Sequence, residues 1–136
     1  MGLTISIRPQ TAHLLVCVSG IFNLKKSTEN MDQIFDACNK YKMSRVLVDF
    51  REVKGCPSVM DNFDHVVFTA QKQIQNISTG GQHIRFAYLG SDPFLFNDTF
   101  SESVAANRGL DLKITTKIQE AARFLGIEDD GFPEFE

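Results

Sequence analysis

Apolar and polar residues alternate near the start of the chain, with Leu3, Ile5 and Ile7 interleaved with Thr4, Ser6 and Arg8. A period of two puts the first set on one side of a pleated strand and the second in water. Pro9 to Ala12 turns the chain, and His13 to Ser19 is a more continuous apolar run, so the two segments predict a hairpin. From Ser27 or Thr28 the period changes. Met31, Ile34, Phe35, Cys38 and Tyr41 follow the i, i+3, i+4, i+7 spacing of one helix face. Arg45 to Phe50 is apolar at successive positions, Val46, Leu47 and Val48, as a strand covered on both sides requires.

A second helix is predicted from about Ser58 to Gln75, with Val59, Phe63, Val66, Val67, Ala70 and Ile74 as its stripe. Ile84 to Leu89 reads as a fourth strand. A third helix spans Asp98 to Arg108, with Thr99 and Glu102 spaced as a capping box and Gly109 as its stop. Leu112 to Thr115 is a fifth strand. A closing helix turns Ile118, Ala121, Ala122 and Leu125 inward and ends at Gly126. The order β-β-α-β-α-β-α-β-α predicts an α/β fold: a mostly parallel five-stranded sheet, an antiparallel first strand and four helices. One domain over residues 1–126 is expected, followed by an acidic, aromatic tail over 127–136 that carries Phe132 and Phe135.

The 136 residues suffice to bury roughly two thirds of the unfolded chain's surface, so a sizeable core is available. Net charge is −3, which gives no electrostatic case for nucleic acid or an anionic membrane as partner. No apolar run is long enough to span a bilayer, and the segment MGLTISIRPQ lacks the features of a signal peptide. Cys17, Cys38 and Cys56 are odd in number and form no CxxC, which fits free thiols in a reducing cytoplasm. The histidines His13, His65 and His83 have no metal-ligand spacing, and no phosphate loop or dinucleotide fingerprint occurs, so no metal and no cofactor are expected.

The element order resembles the STAS fold of anti-sigma-factor antagonists, in its SpoIIAA-like (STAS-like) branch. Arg45-Val46-Leu47-Val48-Asp49-Phe50-Arg51-Glu52-Val53 is similar to that family's strand ending in Asp. Val104-Ala105-Ala106-Asn107-Arg108-Gly109-Leu110, with Ala121-Ala122-Arg123-Phe124-Leu125, resembles the branch's Arg-Gly helix end and Ala-rich closing helix. In antagonists a phosphorylatable serine follows the strand-ending Asp by nine residues, and here that position is Ser58. The local sequence Cys56-Pro57-Ser58-Val59 departs from the family's Asp-Ser-Ser-Gly. The resemblance implies a non-enzymatic module that acts by protein contact, with an anti-sigma-type kinase or a homologous regulator as partner, and with homodimers as a recurring state.

The candidate interaction loop is Asp49, Arg51, Lys54, Cys56 and Ser58. Ser58 has two readings: a phospho-acceptor, and the N-cap of a capping-box-like Ser-x-x-Asp start with Asp61. Phe94-Leu95-Phe96 reads as core filling, as a subunit contact, or as the lining of an apolar pocket, and the last supports an alternative function as a lipid or small-molecule binder. A further alternative is a Cys56-dependent enzyme, in which His65 and Asp61 would complete a nucleophilic set. No catalytic residue is assigned otherwise.

Overall fold

In the computed structural model, residues 3–55, 58–91 and 98–127 are described. The elements are β1 (Leu3–Pro9), β2 (Leu14–Ile21), α1 (Leu24–Tyr41), β3 (Arg45–Lys54), α2 (Val59–Ser78), β4 (Arg85–Leu89), α3 (Asp98–Ala106), β5 (Asp111–Thr115) and α4 (Ile118–Leu125). They form the expected α/β sheet. Strand order is β1-β2-β3-β4-β5, with β1 antiparallel to β2 and every other pair parallel.

Because each parallel strand lies next to its predecessor, right-handed crossovers place α1, α2 and α3 on one side. The main core records this arrangement. Leu14, Val16, Val18, Val46, Val48, Phe50, Phe86, Tyr88, Leu112 and Ile114 meet Met31, Ile34 and Phe35 of α1, Val66 and Ala70 of α2, and Val104 and Ala105 of α3. The alternate strand residues Leu15, Leu47, Ala87 and Leu89 point to the other side, where Ala121, Ala122 and Leu125 of α4 and Ile127 cover them. With helices on both sides, β3 and β4 read as apolar runs rather than alternations.

Local chemistry moves several boundaries. α1 begins ahead of Ser27 because Asn23 Oδ1 accepts the Lys26 N–H at 2.9 Å and caps the helix. β3 does not stop at Phe50; it continues beside β2 to Lys54, so Arg51 and Lys54 lie on a strand and not in a loop. Glu102, expected to pair with Thr99 at the start of α3, accepts the Ile114 N–H of β5 at 2.7 Å, while the Thr99 side chain lies outside the described residues.

Two expected core residues are on the surface. Tyr41 is 41% exposed and Ile74 is 60% exposed. α2 runs past the start of the strand that follows it. Gln73 fixes the level at which α2 passes the sheet: its Nε2 donates to Ile84 O at 2.7 Å, and its Oε1 accepts Ile84 N–H at 3.0 Å. The residues of α2 after Gln73 therefore extend past the entry of β4.

Phe35 packs edge-to-face on Phe86 with ring centroids 5.6 Å apart. Phe35→Ala is expected to lower unfolding free energy by about 3–5 kcal/mol. Ile74→Ala is expected to change it by no more than about 0.5 kcal/mol. Urea titration of both variants checks the difference; equal losses would contradict this placement of the core.

Candidate functional site

The carboxyl end of the sheet gathers the ends of β2 and β3 and the first turns of α1 and α2. After Lys54 the chain turns at Gly55, whose φ of +104° is a conformation that side-chain-bearing residues rarely adopt. The Phe22 N–H donates to Lys54 O at 2.8 Å and ties the start of α1 to that turn. Cys56 and Pro57 lie outside the described residues, as do Phe94, Leu95 and Phe96 and residues 128–136.

Ser58 is the N-cap of α2 and is exposed. Its Oγ accepts the Asp61 N–H at 3.0 Å, and Asp61 Oδ2 accepts the Ser58 N–H at 3.4 Å. The capping box read from the sequence is therefore formed, and it satisfies two backbone donors that the helix start would otherwise leave unpaired.

Asp49 and Arg51 form a closed fork. Arg51 Nε donates to Asp49 Oδ1 at 2.9 Å and Arg51 Nη2 to Oδ2 at 2.8 Å, while the Arg51 backbone N–H adds a bond to Oδ1 at 3.0 Å. The hydrogen bond to Asp49 pushes the guanidinium above its ordinary value. Asp49 pairs in register with Cys17 and Leu89, which pack on the α4 side of the sheet. Ser58 starts a helix on the opposite side. The register between β2 and β3 shifts here: Cys17 faces Asp49 but Ser19 faces Glu52, so Phe50 and Arg51 together oppose Val18. Such a bulge bends and twists the strand locally. The candidate residues thus divide between two sides of the sheet, joined through Lys54 and the Gly55 turn.

His65 is 1% exposed and points inward. Its Nδ1 lies 3.2 Å from Ser27 Oγ and its Nε2 lies 2.7 Å from Tyr88 Oη. Ser27 Oγ also donates to Leu24 O at 2.9 Å, and Tyr88 Oη reaches Met31 Sδ at 3.9 Å, so the ring sits inside a connected buried network. Burial lowers the imidazole pKa to about 4 and raises that of the Tyr88 phenol. The expectation of a nucleophilic set with Asp61 and Cys56 is corrected by this geometry. Both ring nitrogens of His65 are engaged in the core, and the Asp61 carboxylate serves the helix cap.

Sequence reasoning missed a buried polar row on α2. Asn62, His65, Thr69, Gln73 and Asn76 recur at intervals of three and four and are all buried. Thr69 Oγ1 donates to His65 O at 2.8 Å; Asn76 Nδ2 donates to Gln82 O at 3.0 Å, and Asn76 Oδ1 accepts from Asn39 at 2.9 Å. The signal was the helical spacing itself, which apolar-only pattern matching passes over.

Cys17 and Cys38 are free thiols, and burial pushes Cys38 up to about 12. Among the described residues, no group of three or more His, Cys, Asp and Glu is placed to hold a metal ion, and no helix is long and apolar enough to cross a membrane. A cavity bounded by Leu3, Ser27, Asn30, Ile34, Phe50 and His65 measures about 10 Å³, room for about one water.

The backbone is similar to that of an anti-sigma factor antagonist from Mycobacterium paratuberculosis, with a TM-score of 0.56 and 14% identity over 91% of this chain and 94% of that one. It is also similar to an uncharacterised DUF3478-family protein with a SpoIIAA-like fold from Shewanella loihica PV-4, with a TM-score of 0.50 and 15% identity over 91% and 93%. The chain has a SpoIIAA-like fold, and at these identities the likeness speaks to fold alone. No family model and no curated protein matches the sequence.

The buried imidazole sets a pH dependence. In the unfolded chain it binds a proton near pH 6.5, whereas in the fold it refuses one until about pH 4. Its contribution is fully present above pH 6.5 and is lost as pH falls through this window, by about 3 kcal/mol in total. Denaturant titrations from pH 7 to 4 are expected to give a shallower slope for His65→Gln than for the wild type. Parallel slopes would contradict the buried neutral imidazole.

Proposed function

We propose that this SpoIIAA-like domain is a non-enzymatic regulatory module of the cytoplasm, acting by protein contact through the segment from Asp49 to Ser58, with Ser58 as its phospho-acceptor. The observation that carries the reading is the exposed Ser58 hydroxyl at the N-terminus of a 20-residue helix. A phosphoryl group there meets the backbone N–H groups of the first helical turn and the positive end of the helix dipole. It also meets the Asp61 carboxylate, which now accepts the Ser58 N–H. Phosphorylation would replace a neutral cap with a dianionic one and displace Asp61, changing both charge and shape where a partner reads them.

The partner this chemistry fits is an anti-sigma-type kinase or a homologous regulator. Arg51 and Lys54 lie just upstream on β3, and the fork with Asp49 holds the Arg51 guanidinium in a fixed pose for contact from the α4 side. Free Cys17 and Cys38 fit a reducing compartment.

The test is incubation with ATP and candidate anti-sigma-type kinases, read by intact-mass and peptide-mapping spectrometry. One phosphate on wild-type Ser58, and none on Ser58→Ala, is expected. Absence of both phosphate and complex across such kinases would overturn the reading. Loss of the cap is separable from loss of the acceptor. Ser58→Ala is expected to cost about 1 kcal/mol of stability, and Ser58→Asp, which still caps, less than about 0.5 kcal/mol. Thermal unfolding of the two variants checks this.

A further inference from the structure

The ends of α1 and α2 meet at the amino end of the sheet, about 30 Å along α2 from Ser58. The chain leaves α1 at Lys42 (φ +58°) and leaves α2 through Thr79 and Gly80 (φ +97°), so both helices stop sharply here. Between them lies an open hollow of about 320 Å³, lined by buried Cys38, half-buried Met43 and exposed Asn39, Thr79 and Gln82. A second hollow of about 230 Å³ continues it along the seam between the helices and shares Asn39 and Thr79. The first alone is within the size range of small-molecule sites.

The hollow is preformed. Asn39 Nδ2 donates to Asn76 Oδ1 at 2.9 Å, and Asn76 Nδ2 donates to Gln82 O at 3.0 Å. Asn76 packs so closely on Gly81 that a Cβ there would lie 2.5 Å from its Nδ2. These bonds leave particular groups over. Asn39 keeps its Oδ1 as an acceptor. Thr79 spends its hydroxyl proton on the Gln75 and Asn76 carbonyls, at 3.1 Å each, and keeps its lone pairs. The Gln75 and Gln82 carboxamides line the two hollows and make no side-chain hydrogen bond among the described residues. Charge selects neither sign. Lys42 lines one hollow, and Asp36 and Lys72 line the other, with Lys72 paired to Asp32 at 2.9 Å. The negative ends of two helix dipoles also oppose an anion.

We infer that this hollow binds a neutral, hydroxyl-rich small molecule of the monosaccharide or cyclic-polyol class. Its hydroxyls donate to Asn39 Oδ1 and Thr79 Oγ1 and exchange hydrogen bonds with the Gln75 and Gln82 amides, while its C–H face lies on Cys38 and Met43. The site shares no residue with the segment from Asp49 to Ser58, so either can fail alone.

Amide NMR titration of the isotope-labelled chain with D-glucose and with myo-inositol tests this. At least one is expected to shift the Gly80, Gly81 and Gln82 amides saturably, with half-saturation at roughly millimolar concentration. Gln82→Ala removes an exposed carboxamide that bonds nothing within the fold, and is expected to weaken binding about fivefold. Gln71→Ala, exposed on α2 outside both hollows, is expected to leave the affinity unchanged. No saturable shift with either probe up to about 100 mM overturns the proposal. So does an affinity that Gln82→Ala leaves intact. Larger shifts of the same amides with sodium sulfate or tetramethylammonium chloride assign the hollow to a charged ligand and also overturn it.

Discussion

The buried polar row of α2 is the constraint on which the arrangement of this domain depends. Apolar burial is non-directional, so an apolar helix face can shift along a sheet without leaving any polar group unpaired. A row of buried donors and acceptors cannot. Each net hydrogen bond contributes about 0.5–1.5 kcal/mol, but each buried group left unpaired costs about 1–3 kcal/mol, so displaced arrangements are penalised more than the correct one is favoured. Gln73 fixes α2 along its axis by bonding both backbone groups of Ile84. His65 fixes it laterally, between Ser27 of α1 and Tyr88 of β4. Asn76 closes the far end on Gln82 and Asn39. With three anchors along one helix, the level at which Ser58 emerges at the carboxyl end of the sheet is set from inside the core.

This division of labour explains a long helix with a polar inner row and exposed apolar residues at its far end. Ile74 and Ile77 are exposed because α2 is held by Gln73 and continues past the strands. The mobile-looking chemistry of the other end, a serine cap and a nearby Arg–Asp fork, is in fact built on fixed elements. The fork sits on a strand and the cap on an anchored helix, so a modification at Ser58 would act against a rigid background. A SpoIIAA-like fold in which helices cover one side of the sheet fully and the other partly leaves two distinct surfaces at this end, and the candidate residues reach both.

The architecture was legible because its signals are periodic. Strands β1 and β2 follow from alternation and from a continuous apolar run, α1 and α4 from their apolar stripes, and the parallel sheet from their order. Ser58 was legible as a cap because Ser-x-x-Asp is a local motif. What the sequence hid was non-local. Nothing in Arg51-Glu52-Val53-Lys54 announces that β2 extends far enough to keep it paired. The face on which Asp49 and Arg51 lie depends on strand neighbours that only the fold supplies. His65 beside Asp61 suggests a surface pair at i, i+4, and only the positions of Ser27 and Tyr88, 38 and 23 residues away, reverse that reading. The inward role of Glu102 depends likewise on β5, 12 residues on.

The account stands most directly on the state of one imidazole. Ring nitrogen shifts of His65, recorded by NMR at about pH 6, where an ordinary histidine is largely protonated, read its charge and tautomer at once. The burial of His65 between Ser27 and Tyr88 predicts a neutral ring. A protonated ring would contradict the buried anchor from which the placement of α2 and Ser58 has been argued.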